Sequence, residues 1–192
     1  MQLVLLGLLL AQMLAVPAPD GGSVQADAAL APAVRLLASL DEGRPLVQTL
    51  ADGGIRLVMA VAVVDNGDTV PLAAYRPARR MILVSPRVRG MAPATVATLL
   101  THEASHALDQ LSSTMDRELE SYGRTEACYV WEERATLTEL SVWQATQGQD
   151  GSPSPANEYE TFLNDALARY YADPDAFAAS VRALYAGQCE GP

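Results

Sequence analysis

The chain has 192 residues, 49% of them hydrophobic, which suffices for one globular core and is too few for two full domains. Its formal net charge of −10, from 23 acidic against 13 basic residues, excludes a general binder of nucleic acid or of anionic membranes, both of which need a positive field. All 13 of those basic residues are arginine, and there are only two histidines.

Residues Leu3 to Val16 form an apolar run broken only by Gly7 and Gln12, and a Pro-, Gly- and Ser-containing stretch follows it. This is the pattern of a signal-peptide h-region, although the segment before it carries no Lys or Arg. The run is shorter than the roughly 20 residues of a spanning helix, so no stable membrane span is expected. Residues 1–26 therefore read as signal peptide and leader, with cleavage sites after Ala18 or Ala26, and residues 27–192 as a single exported domain, periplasmic or secreted. The even pair Cys128 and Cys189 allows one disulfide there, or two separate thiols.

Ala28 to Leu40 has helical spacing, with Asp27 as a possible cap, and a second helical pattern through Leu46, Val47 and Leu50 stops at Asp52-Gly53-Gly54. Ile55 to Val64 predicts a strand. Asn66-Gly67 predicts a hairpin turn, Thr69 to Tyr75 the returning strand, and Met81 to Ser85 a short third strand closed by Pro86. The remainder is helical: Thr95 to Leu111, Glu118 to Ala145, Glu158 to Tyr171, and a last helix from Asp173-Pro174 to about Tyr185, with a polar loop over Thr146 to Ala156. A small, mostly antiparallel sheet followed by a helical half is an α+β domain.

Both histidines fall in His102-Glu103-Ala104-Ser105-His106, inside the third predicted helix. Residues four apart share a helix face, so the two imidazoles can reach one ion while Glu103 projects beside it. Imidazole suits zinc, and a carboxylate next to a metal-activated water can take its proton. With two histidines and eleven glutamates, shuffling this composition yields H-E-x-x-H about once in a thousand trials or less often. The flanks Val96, Leu99, Leu100, Ala107 and Leu108 are too apolar for a fully solvated helix.

This motif in this context resembles the zincin metallopeptidases. Asp109 and Ser112 stand where the metzincin branch has its glycine and third histidine, so that branch does not fit. The gluzincin branch takes a glutamate from a downstream helix in an E-x-x-A setting, and Glu132-Glu133-Arg134-Ala135 matches it. Thr136 departs from the E-x-x-x-D form, which leaves open the carboxylate that would orient a ligand histidine; Asp109 is one substitute. Three glutamates compete for the third ligand position, Glu126, Glu132 and Glu133. Glu132 is preferred, because its face carries the small Ala135, together with Cys128, Glu139 and Trp143. The resemblance, closest to small single-domain bacterial gluzincins, implies a zinc peptidase acting on a peptide or protein substrate. His102, His106 and Glu132 would hold Zn2+, and Glu103 would be the general base. Tyr122, Tyr129, Tyr159, Tyr170, Tyr171 and Arg124 are available as oxyanion donors. In zincins a strand near this helix aligns the substrate, and Arg76, Arg79, Arg80, Arg87 and Arg89 cluster around the third strand. They would favour acidic substrates or else pair with the domain's own carboxylates. The rival readings are a catalytically silent metal-binding scaffold, for which Glu103 has no use, and a structural protein without metal.

Overall fold

A computed structural model describes residues 12–60, 71–147 and 154–191. In chain order the elements are β1 (Met13–Pro17), β2 (Ser23–Asp27), α1 (Ala31–Ser39), α2 (Arg44–Asp52), β3 (Arg56–Met59), β4 (Ala73–Arg76) and β5 (Met81–Val84). The helical half follows as α3 (Pro93–Leu111), α4 (Thr114–Tyr122), α5 (Arg124–Gln147), α6 (Glu158–Ala172) and α7 (Pro174–Cys189). The α+β class is as expected from the sequence.

The sheet order is β1-β2-β3-β5-β4, which corrects the expected succession of hairpins. β1–β2 and β4–β5 are antiparallel, whereas β2–β3 and β3–β5 are parallel, so the sheet is mixed. The reason lies in the side chains. Met-Ile-Leu-Val of β5 is a continuous apolar run suited to a central strand, and Ile82 and Val84 are fully buried. Ala-Ala-Tyr-Arg of β4 suits an edge, so β5 inserts between β3 and β4. The Asn66-Gly67 turn lies outside the described residues.

β1 and β2 pair over their whole length, Met13 with Asp27 through Pro17 with Ser23, and Val16, Val24 and Ala26 are core residues. The packed unit thus includes residues that the sequence assigns to a leader ending at Ala26. A short apolar run bounded by Pro and Gly is compatible with an h-region or with a strand. The part of that run before residue 12 lies outside the described residues.

Helix boundaries shift for local reasons. α1 begins at Ala31, because Asp27 ends β2 and its carboxylate accepts the Ala29 N–H (3.1 Å) in the intervening turn. The single helix expected over Glu118 to Ala145 is two, broken at Gly123, whose φ of +77° belongs to the left-handed region that glycine tolerates. α6 and α7 are capped by Asn157, which accepts the Glu160 N–H, and by Asp173, which accepts those of Asp175 and Ala176.

Two apolar clusters result. The larger joins the sheet, α1, α2 and α3; the smaller, Leu140, Trp143, Leu163, Phe177 and Val181, joins α5, α6 and α7. α3 runs between them and packs most extensively on α5. Ala104, Ala107 and Ala135 are all fully buried, which is the small-residue composition that a close α3–α5 approach requires. Buried hydroxyls on α3 are satisfied within the helix: Thr98, Thr101 and Ser105 each donate to the carbonyl four residues back.

Candidate metal centre

Between the two clusters, α3 presents His102 and His106 to Glu132 of α5. The Glu132 Oε2 atom lies 3.2 Å from His102 Nε2 and 3.5 Å from His106 Nε2, and one ligand atom from each residue falls within 4.8 Å of the others. Two ligands each about 2.05 Å from one ion at the tetrahedral angle stand roughly 3.3 Å apart, close to both of these separations. His102 and Glu132 are buried, and His106 is half-buried. This group could hold a metal ion.

The other contenders for the third position are engaged elsewhere or turned away. Glu126 is exposed and forms a two-pronged pair with Arg182 (2.9 and 2.5 Å). Glu133, one residue off the Glu132 face, is half-exposed.

The carboxylate left open by Thr136 is Glu139, seven residues after Glu132. Its Oε2 lies 3.3 Å from His102 Nδ1, and its Oε1 accepts the Tyr159 hydroxyl from α6. Glu139 was visible in the sequence only as a member of the Glu132 face. Asp109 does not take this role: it is buried against Arg134, which also binds Glu118, and the Trp131 indole N–H donates to the same Glu118. That network ties α3, α4 and α5 together and is neither solvated nor directed at a histidine.

α7 closes the site from a third side. The Gln188 amide donates to Glu132 Oε1 (2.7 Å), and the Tyr185 ring stacks on His102, its hydroxyl 3.5 Å from Nε2. Cys128 and Cys189 form a disulfide with Cα atoms 5.5 Å apart. Cys128 is one turn before Glu132 on α5, and Cys189 adjoins Gln188, so the bridge fastens α7 where it meets the site. Tyr185 and Gln188 were not among the residues singled out in the sequence, where only the cysteine pair hinted that the chain end returns to α5. Of the tyrosines that were, Tyr129 donates to Glu190 and Tyr171 to Gln144, away from the histidines.

Glu103 faces β4. Its Oε2 accepts the backbone N–H of Tyr75 (2.6 Å), and the Tyr75 hydroxyl donates to Gln110, two turns further along α3 (2.6 Å). The Ser85 N–H donates to Leu72 O, so Leu72, Ala74 and Arg76 turn their backbone groups to β5, and Ala73 and Tyr75 turn theirs to the side of β4 that no other described strand covers. Glu103 therefore grips the outward side of the edge strand.

The electrostatics favour a cation. Burial works against charge on Glu132, yet hydrogen bonds and charge from His102 and His106 bring its pKa down to about 2, so it is ionised. Burial likewise opposes a charged His102, but the Tyr185 phenol and the Glu132 and Glu139 carboxylates prevail and raise its pKa well above the usual histidine value. Burial, with Glu139 beside it, pushes the Tyr159 phenol up, which keeps it a donor to that carboxylate. One carboxylate and two imidazoles converging in a partly buried space form an oxygen-and-nitrogen donor set that could hold a metal ion.

Comparison with protein-family models, with curated proteins and with solved structures finds no match. No helix among the described residues is long and apolar enough to cross a membrane.

Proposed function

We propose that the chain is a zinc-dependent peptidase of gluzincin type, with His102, His106 and Glu132 as ligands and Glu103 as general base. The observation that carries this reading is the convergence of these three ligand atoms on one point, with Glu103, next to His102 in the chain, bonded to the backbone of the edge strand β4. A metal-storing scaffold needs the first feature and has no use for the second.

A zinc ion bound there would supply Lewis acidity, polarising the scissile carbonyl and lowering the pKa of water toward about 7. The chain's own residues do the rest. Glu139, braced by Tyr159, fixes the ring of His102, and Gln188 fixes the carboxylate of Glu132. The Tyr75 N–H pins Glu103 Oε2, which leaves Oε1 to accept a proton. The outward backbone groups of Ala73 and the Tyr75 carbonyl, the Tyr75 N–H being held by Glu103, pair with an extended peptide and lay its carbonyl beside Glu103. Each cleavage consumes one water: its oxygen bonds to the carbonyl carbon, the C–N bond breaks, and Glu103 carries a proton from the water to the departing nitrogen. Tyr185, whose hydroxyl points at the ligand nitrogen of His102, is the donor best placed for the developing oxyanion.

Export belongs to the same reading, since a disulfide persists in oxidising compartments. The test is metal analysis of the purified chain coupled to a peptide-cleavage assay. About one zinc per chain, with cleavage abolished by a chelator and restored by zinc, is expected. A chain that binds no metal, or a His102→Ala/His106→Ala variant that keeps it, refutes the proposal.

A further inference from the structure

We propose that the β4 edge and the arginines at its end, Arg79 and Arg80 with Arg56 beside them, select extended peptides bearing acidic side chains. This names a substrate class for the peptidase proposed above and rests on that reading.

Charge is distributed unevenly along this chain. Although the protein carries −10 overall, no acidic residue occurs from Thr69 to Thr101, a stretch that holds five arginines. The fold gathers four arginines at one end of the edge. Arg56 on β3 and Arg76 on β4 both lie in register with Met81, on either side of it, and the Arg56 N–H donates to the carbonyl of Arg80. Arg79 and Arg80 occupy the tight turn from β4 to β5, where Arg80 adopts a positive φ of 46°. All four are exposed, and among the described residues neither Arg79 nor Arg80 makes an ion pair.

This cationic end adjoins the proposed cleavage site. Arg76 follows Tyr75, whose N–H holds Glu103, and the Arg80 guanidinium is near enough to the Tyr75 phenol to oppose the rise that burial gives its pKa. A peptide paired along Ala73 and Tyr75 runs past these guanidinium groups within a few residues of its scissile bond. Arginine presents a planar fork of donors that matches a carboxylate, so an acidic side chain there gains charge-assisted hydrogen bonds that a neutral one lacks. A basic side chain meets repulsion, and discrimination arises from both.

The test uses three ten-residue fluorescent peptides identical except for three positions occupied by Glu, Gln or Lys. Binding to the full-length chain is followed by anisotropy in the presence of a chelator, where hydrolysis does not interfere, and kcat/KM is measured separately with zinc. The Glu peptide should bind about three- to tenfold more tightly than the Gln peptide at low salt, and the advantage should fade at 0.5 M salt. In the Arg79→Glu/Arg80→Asn variant, whose Asn suits the positive φ, the Glu peptide should lose that advantage and the Lys peptide should gain. The gain is a result that mere unfolding cannot give. Equal binding of the three peptides, binding unmoved by the variant, or no binding at all overturns the inference. Selective binding without cleavage in zinc would instead refute the peptidase reading and leave the acidic selectivity standing.

Discussion

Glu132 and Glu139, seven residues apart on α5, hold His102 by its two ring nitrogens, Glu132 Oε2 at 3.2 Å from Nε2 and Glu139 Oε2 at 3.3 Å from Nδ1. One carboxylate belongs to the proposed ligand set and the other contacts the opposite nitrogen of the ring. Removing the second should therefore cost metal affinity without removing a ligand.

Replacement of Glu139 by Gln should weaken zinc binding about 10- to 100-fold, as losses of carboxylates behind ligand histidines do. Competition with a chromophoric chelator measures it. Affinity equal to that of the unaltered chain would show that Tyr185 stacking alone orients His102.

The Cys128–Cys189 bridge closes a loop of 61 residues. A Cys128→Ser/Cys189→Ser variant should lose about 2–4 kcal/mol of unfolding free energy in urea. Its zinc affinity should also fall, because Gln188 loses its tether beside Glu132. A variant with lowered stability but unchanged affinity would separate α7 from the metal site.

The β1–β2 hairpin makes a prediction about processing. A chain beginning at residue 12 should unfold cooperatively, whereas one beginning at residue 27 loses Val16, Val24 and Ala26 from the core and should not. If the protein is exported as proposed, N-terminal sequencing of the secreted form should place its first residue no later than Met13. A folded, active form starting at Pro19 or Asp27 would contradict the hairpin's structural role.

Glu160 of α6 accepts from the Thr95 hydroxyl (2.6 Å), the Ala156 N–H (2.7 Å) and the Asn157 amide (3.0 Å). Burial opposes its charge, but these donors prevail and lower its pKa below the usual carboxylate value. A depressed folded-state pKa gives stability that is present above the unfolded value near 4.5 and lost as the pH falls through the folded one. Urea unfolding from pH 7 to pH 3 should therefore show the unaltered chain converging on a Glu160→Gln variant at the acid end. A constant gap between them would assign Glu160's role to packing instead.

Much of this site was legible in the residues because helical spacing is local. His102, Glu103 and His106 share a turn, and Glu132 stood out through Ala135 beside it. Glu139 lay on the same face, but its use depends on the height at which α3 crosses α5, which no local pattern encodes. Tyr185 reaches His102 from 83 residues away and Gln188 reaches Glu132 from 56, both through the disulfide-anchored α7, long-range contacts without a periodic signature. The strand order was hidden for a similar reason: a turn signal reports neighbours in the chain, while the burial of Ile82 and Val84 decides neighbours in the sheet. Gly123 was read through as a helix interior, a place glycine tolerates at a cost of about 1 kcal/mol, whereas here it supplies the left-handed break before α5.

The most direct measurement is the peptide-hydrolysis rate of the Glu103→Gln variant at full zinc content. The residue is not a ligand, so zinc should stay bound at about one per chain while kcat/KM falls by about 10²–10⁴. Undiminished hydrolysis by the zinc-loaded variant would contradict the assignment of Glu103 as the base, and with it the proposed mechanism.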